Sequence, residues 1–167
     1  MKTFQELFDE HTGRGIIKWS HYPAIYDKHF WQYRDKEITV LEIGVQRGGS
    51  LEIWEKYFPK AKIYGIDLSS SGYYNSTVKD KYKDRLIPIQ GNSHYVADLV
   101  PQVDLVFIDA DHSYNGCFGD IVAYKPKVRS GGILSGHDID YPGVNSAVSK
   151  LIKNYEVGPN NVWFTKV

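Results

Sequence analysis

The sequence predicts an α/β fold: a single domain built on a doubly wound sheet, mostly parallel, with an antiparallel C-terminal strand. Three observations carry this. Short apolar runs at residues 38–43, 62–68, 86–90, 103–110 and 132–135 alternate with stretches of helical spacing, the pattern of successive βαβ units. The first run leads into a glycine-rich turn, Gly44 to Gly49, and the second ends on an acid, Asp67. Lastly, the residues best suited to chemistry (Gly44, Asp67, Asn92, Asp109, His137 and Asp138) all fall at the carboxyl ends of predicted strands, where such sheets bind ligands.

In chain order, Phe4, Leu7 and Phe8 predict a short helix ending near Gly13. Ile25, Tyr26, His29, Phe30 and Tyr33 have helical spacing across residues 22–33. Residues 1–37 therefore form a helical lead-in, read either as a lid over a ligand or as packing on the sheet edge. Residues 38–167 form the core. Thr39, Val40, Leu41 and Ile43 make a first strand buried on both faces. Ser50 is placed to cap the next helix, whose Leu51, Trp54 and Phe58 share a face before Pro59. After the second strand, residues 75–83 are a modest helix and residues 86–90 a third strand. Residues 93–100 read as a small helix closed by Pro101, and residues 103–110 as the strongest later strand. Phe118, Ile121 and Val122 mark a helix that Pro126 ends. Val144, Ala147, Val148, Leu151, Ile152 and Tyr155 mark another, and residues 162–167 the last strand, reached through the turn GPNN.

Composition excludes several function classes. Lys plus Arg number 20 and Asp plus Glu 20, so bulk charge gives no sign of a nucleic-acid partner or an anionic membrane surface. Cys117 is the one cysteine, which excludes an internal disulfide and a cysteine-rich zinc site and fits a reducing, cytoplasmic setting. No apolar run approaches the roughly 18 residues of a membrane span, and the N-terminus carries acids where a signal peptide needs an apolar core.

The first loop is Gly44-Val45-Gln46-Arg47-Gly48-Gly49, which is neither the dinucleotide fingerprint nor a phosphate loop. With no pyrophosphate to cradle, such a loop suits an amino-acid moiety joined to a nucleoside. Glu42 is placed to neutralise or water-bridge an ammonium group, and Asp67 to meet the two hydroxyls of a ribose.

At this point the chain resembles class I S-adenosylmethionine-dependent methyltransferases, which carry the Rossmann-like form of this sheet. Their first motif is a hydrophobic strand followed by E/D-x-G-x-x-x-G, matched here by Glu42-Ile43-Gly44-Val45-Gln46-Arg47-Gly48. The wider match is VLEIGVQRGGSLEIW with KIYGIDL, FIDADHSYNG and SGGILSGHD. It resembles the macrocin O-methyltransferase and cephalosporin hydroxylase-like group of small-molecule and sugar O-methyltransferases, over residues 19–148. The resemblance implies S-adenosyl-L-methionine as cofactor, contacted by Glu42, Gly44, Gly48, Ser50, Asp67, Leu68, Asn92, Ser93 and Asp109. Gly44 and its neighbours would face the methionine part, and Asn92 with Ser93 the adenine.

Methyl transfer to oxygen needs the nucleophile in line with the methyl group and something to take or weaken the hydroxyl proton. His112 suits the second task because its ordinary pKa lies near neutrality. Asp111 is placed to orient it, and a divalent metal would share the work. The resemblance implies Mg2+ or another divalent ion held by Asp109 and an acidic pair after the next strand, with His112 as general base. Here His137-Asp138 stands at that pair, and a histidine ligand tilts the site toward a transition metal. The expected catalytic residues are His112, Asp109 and Asp138, and the expected metal ligands Asp109, His137 and Asp138.

The expected function is O-methylation of a sugar or other small molecule. Transfer to nitrogen and a non-catalytic cofactor-binding subunit are the alternatives. Little chain is left to build an acceptor pocket. The lead-in (including Trp19, His21 and Tyr22) or a second copy in a homo-oligomer is therefore expected to supply part of it.

Overall fold

The computed structural model describes residues 1–13, 23–69 and 84–167. Its strands are β1 (Thr39–Ile43), β2 (Lys62–Asp67), β3 (Leu86–Gln90), β4 (Val103–Ile108), β5 (Val128–Gly136), β6 (Glu156–Val157) and β7 (Trp163–Lys166). They form one sheet in the order β3-β2-β1-β4-β5-β7-β6. The first five run parallel, and β7 is antiparallel to both β5 and β6. The strand order reverses between β1 and β4, which makes that junction the switch point where a doubly wound sheet opens a crevice.

Alternation along the strands gives each face its own core. Val40, Ile63, Leu105 and Phe107 join a cluster under α1 (Phe4–Asp9), α2 (Pro23–Phe30) and α3 (Gly49–Tyr57). Leu41, Ile43, Val106, Ile108 and Leu134 meet α4 (Tyr114–Tyr124) and α5 (Pro142–Leu151) on the other. Each fully buried Leu, Ile or Phe here stabilises by about 1.5–3 kcal/mol relative to exposure. The lead-in helices are part of the first core. Tyr26 packs against Trp54 and Phe107 with ring centroids at 5.3 and 5.4 Å, and Phe30 meets Phe164 at 5.8 Å.

Several local expectations give way to tertiary structure. Gly48, in the left-handed region at φ 81°, is the N-cap of α3, and Ser50 lies inside the helix. Residues 93–100 hold only a 3-10 turn at Ala97–Leu99. The helix starting at Pro142 stops at Leu151, so Ile152 and Tyr155 add to the core from the connection that follows. β5 begins at Val128, upstream of the expected start, because a register shift opposite residues 103–105 absorbs the Ser130-Gly131-Gly132 step. The GPNN turn does join antiparallel strands, with Asn160 and Asn161 at φ 64° and 63°. Trp19, His21, Tyr22 and the helix expected at residues 75–83 lie outside the described residues. Among the described residues no helix is long and apolar enough to cross a membrane.

Cys117 sits on the inner face of α4, 2% exposed. Burial, followed by the charges of Asp120 and Asp111, pushes its thiol up to about 12. Only the thiolate reacts, so native protein at pH 8 is expected to resist dithionitrobenzoate and to react fully once denaturant is added. A fast native reaction would show that α4 is not packed as described.

Candidate functional site

The parallel strands end in a stitched row. Gly44 N–H donates to Ile66 O at 2.9 Å, and Gly91 N–H to Asp67 O at 2.9 Å. Asp109 N–H donates to Ile43 O at 2.8 Å, and His137 N–H to Ile108 O at 3.0 Å. This extends each ladder by a residue and sets Gly44, Asp67, Gly91, Asp109 and His137 along one rim. Gly44 has φ +91°, and a Cβ there would lie 2.0 Å from the Asp109 carbonyl oxygen. The β1 turn and the β4 end can approach this closely only because the residue is glycine.

Beyond the rim is a cavity of about 310 Å³, within the range of small-molecule sites. Gly44, Asp67, Leu68, Asn92, Ser93 and Asp109 line it, as expected for a ligand crossing the strand ends. Gln46, His94, Asp111, Gly116 and Asp120 line it as well. Four of the described lining residues are therefore aspartates (67, 109, 111 and 120), and none of the described ones is lysine or arginine. A site of that sign repels phosphates and suits a cationic ligand.

Each acid is held in place by local geometry. Asp67 Oδ2 accepts from Gln46 N–H at 2.7 Å, and Oδ1 from Ser69 N–H at 3.0 Å. Two oxygens with about four lone-pair sites leave room for further donors. Asp120 is 1% exposed and accepts from Ser93 Oγ at 2.5 Å, with His94 Nε2 at 3.4 Å. Burial raises its pKa, against the opposing pull of Ser93 and His94. Asp111 accepts from Ser113 N–H at 2.9 Å and from Ser113 Oγ at 2.8 Å, and these bonds lower its pKa. It thus organises the turn into α4, whose N-cap is Ser113.

Glu42 and Ser50 are placed differently. Glu42 lies on the β1 face turned toward α3, fully buried, and its Oε2 accepts from Ser50 Oγ at 2.8 Å and Trp54 Nε1 at 3.1 Å. The two tie strand to helix beneath the loop and are not on the cavity wall. Gly48 closes that loop, with its N–H donating to Val45 O at 2.7 Å.

Asp109 also belongs to a second group. One ligand atom each from Asp109, His137 and Asp138 lie within 4.8 Å of one another. His137 Nδ1 is 3.3 Å from Asp109 Oδ2, and His137 Nε2 is 2.8 Å from the Tyr26 hydroxyl. Asp138, at φ 58°, turns back so that its Oδ2 lies 2.9 Å from His112 Nε2. Burial and then the Asp109 charge raise the pKa of Asp138, while His112 and His137 lower it. A Cβ at Gly143 would lie 2.5 Å from His112 O, so α5 is pressed onto this loop. His112 itself is beside Tyr141, ring centroids 4.7 Å apart.

The expected residues other than Glu42, Gly48 and Ser50 are thus brought to one rim. Sequence reasoning missed Gln46, His94, Asp120 and Tyr26. Asp120 carried a usable signal, a charge on the apolar stripe of α4 between Cys117 and Ile121. Gln46 acts through its backbone, which no side-chain pattern reports.

Comparison with known proteins gives a family and relatives. A family model described as a methyltransferase domain matches residues 41–139. Mycinamicin VI 2''-O-methyltransferase of Micromonospora griseorubida is 31% identical over 136 residues, 75% of this chain and 32% of that protein. The 8-demethyl-8-alpha-L-rhamnosyl tetracenomycin-C 2'-O-methyltransferase of Streptomyces olivaceus is 30% identical over 135 residues, 75% and 35% of the two chains. A solved structure of the MycE methyltransferase from the mycinamycin biosynthetic pathway, in complex with Mg and SAH, superposes with a TM-score of 0.77. It is 25% identical, covering 99% of this chain and 54% of that one. The chain spans about a third of the length of the curated relatives it matches.

Proposed function

The chain belongs to the methyltransferase domain family, and from that premise we propose that it transfers a methyl group from S-adenosyl-L-methionine to a hydroxyl of a sugar or other small molecule. The observation that carries this is Asp109, which lines the cavity and is also one of three clustered residues with the donor set for a cation. Donor and acceptor sites then share a wall, as a transfer reaction needs.

The cavity fits the donor in sign as well as in size. Its four aspartates oppose a dinucleotide and complement a sulfonium and an ammonium. Bound there, S-adenosyl-L-methionine supplies an electrophilic methyl on a positively charged sulfur. Asp67 would accept from the ribose hydroxyls, Gly44 would leave the backbone open beside the amino-acid part, and Asn92 and Ser93 would flank the base. The acid–histidine group fits a divalent cation, since two carboxylates and an imidazole bring one ligand atom each within 4.8 Å of one another. Asp109, His137 and Asp138 would hold it, and the chemistry it would supply is Lewis-acid weakening of the acceptor's O–H bond. His112, with Nε2 turned to Asp138, takes the acceptor's proton on its other ring nitrogen. The names of the two O-methyltransferase relatives favour a glycosidic acceptor. The buried, thiol-form Cys117 accords with a reducing cytoplasmic setting. The lead-in and a second copy of the chain remain the proposed sources of further acceptor contacts.

A transfer assay with S-adenosyl-L-methionine and a panel of free and glycosidic sugars tests the reading, scored by mass of the product. A gain of one methyl on a sugar oxygen, lost on chelation and restored by divalent metal, is expected. Methyl transfer only to amines would favour the nitrogen reading instead. Asp67→Ala is expected to weaken SAH binding by about 10–100-fold, the loss of one or two charge-assisted hydrogen bonds worth about 1.5–3 kcal/mol. Titration calorimetry checks this, and unchanged affinity would remove Asp67 from the ribose.

A further inference from the structure

His137 is buried among aromatic rings at the sheet rim. Its ring is 5% exposed, with Phe107 edge-on at 5.0 Å and Tyr26 stacked at 6.2 Å between centroids. Both nitrogens have an oxygen neighbour: Tyr26 hydroxyl at 2.8 Å from Nε2, Asp109 Oδ2 at 3.3 Å from Nδ1. A neutral imidazole carries one donor and one acceptor nitrogen, whereas a phenol hydroxyl can serve as either. When Tyr26 accepts from Nε2–H, Nδ1 keeps its lone pair on the side of Asp109, whose Oδ2 is 3.3 Å away, within the group that also includes Asp138. A metal-ligating histidine is characteristically fixed this way, its far nitrogen donating to an oxygen that sets tautomer and orientation.

We infer that Tyr26, through its bond to Nε2, makes His137 a nitrogen ligand and that the site selects a transition-metal ion of the Co2+ type over Mg2+. This rests on the divalent site proposed above and adds its metal class and a positioning residue. Neutral imidazole in place of a carboxylate lowers the ligand charge by one and supplies a softer donor. Mg2+, a hard ion that prefers oxygen, loses more by that exchange than Co2+ or Zn2+ does. Tyr26 comes from α2, ahead of the first strand, and is itself 1% exposed. Metal choice therefore depends on a helix outside the strand-end motifs.

Calorimetric titration of Co2+ and of Mg2+ into the wild-type chain, Tyr26→Phe and His137→Glu tests this. Wild type is expected to bind Co2+ more tightly than Mg2+. Tyr26→Phe, which keeps the ring and its packing, is expected to weaken Co2+ by about 10–100-fold, the usual cost of losing such a partner. His137→Glu is expected to narrow the Co2+/Mg2+ gap. Pulsed electron paramagnetic resonance of the Mn2+-loaded protein reads the ligand directly: nitrogen coupling in wild type, none in His137→Glu. Thermal melting and SAH titration of each variant confirm that the fold is intact. Equal Co2+ and Mg2+ affinity, or an unchanged Co2+ affinity in Tyr26→Phe, overturns the inference and leaves the divalent site standing. SAH binding with no divalent binding at all overturns both.

Discussion

Replacing His112 with alanine is expected to lower turnover by about 10²–10⁴-fold, the usual contribution of general-base catalysis, with little change in SAH affinity. The separation follows from placement. His112 is absent from the described walls of the strand-end cavity and pairs instead with Asp138 at 2.9 Å. Asp138→Asn keeps the shape of that pair and removes its charge, so it is expected to depress turnover comparably. Asp138 is surrounded by competing influences: burial and Asp109 raise its pKa, while His112 and His137 lower it. An asparagine there cannot stabilise an imidazolium on His112, nor contribute charge to a cation. Turnover and SAH affinity, measured on the same preparations, check both variants. A matched fall in affinity and turnover would instead place His112 in donor binding.

The second large effect is expected at Gly44. A valine Cβ would lie 2.0 Å from the Asp109 carbonyl oxygen and 2.8 Å from the Ala110 Cα. Both are backbone atoms at the end of a central strand and cannot swing aside. A positive φ in a β-branched residue adds about 1–3 kcal/mol of strain. Gly44→Val is therefore expected to lower the melting temperature and to abolish measurable SAH binding, because separating β1 from β4 opens the cavity floor. Gly131→Ala is the control. Its φ is +81° with nothing within 4 Å, so it carries the strain without the collision. It is expected to cost stability alone, with SAH affinity retained. Equal loss of binding in both would mean that Gly44 matters through general stability.

These expectations show which parts of the molecule could be read before its structure was known. A strand buried on both faces, such as Thr39–Ile43, writes its burial as a nearly continuous apolar run, and its bounds were legible. β6 was not, because its two residues are exposed and are recruited by pairing with β7. The apolar spacing through Ile152 and Tyr155 overstated the last helix, since periodicity reports burial rather than hydrogen bonding. The positions of Asp67, Asp109 and Asp138 at the sheet rim were legible because each follows or ends a strand, where doubly wound sheets open their crevice. Glu42 was not, because the inside or outside of a strand is set by the helix it meets; here Trp54 and Ser50 claimed it. Asp120 and Tyr26 reach the rim from helices on opposite faces, and only the assembled fold brings them there.

The central claim is that the aspartate-lined cavity holds a cationic nucleoside methyl donor. Titration calorimetry of the wild-type chain with SAH, S-adenosyl-L-methionine and NAD tests it most directly. Saturable binding of the first two at one site per chain, with no heat from NAD, is the predicted result. Binding of NAD with neither adenosyl ligand taken up would contradict the account at its base.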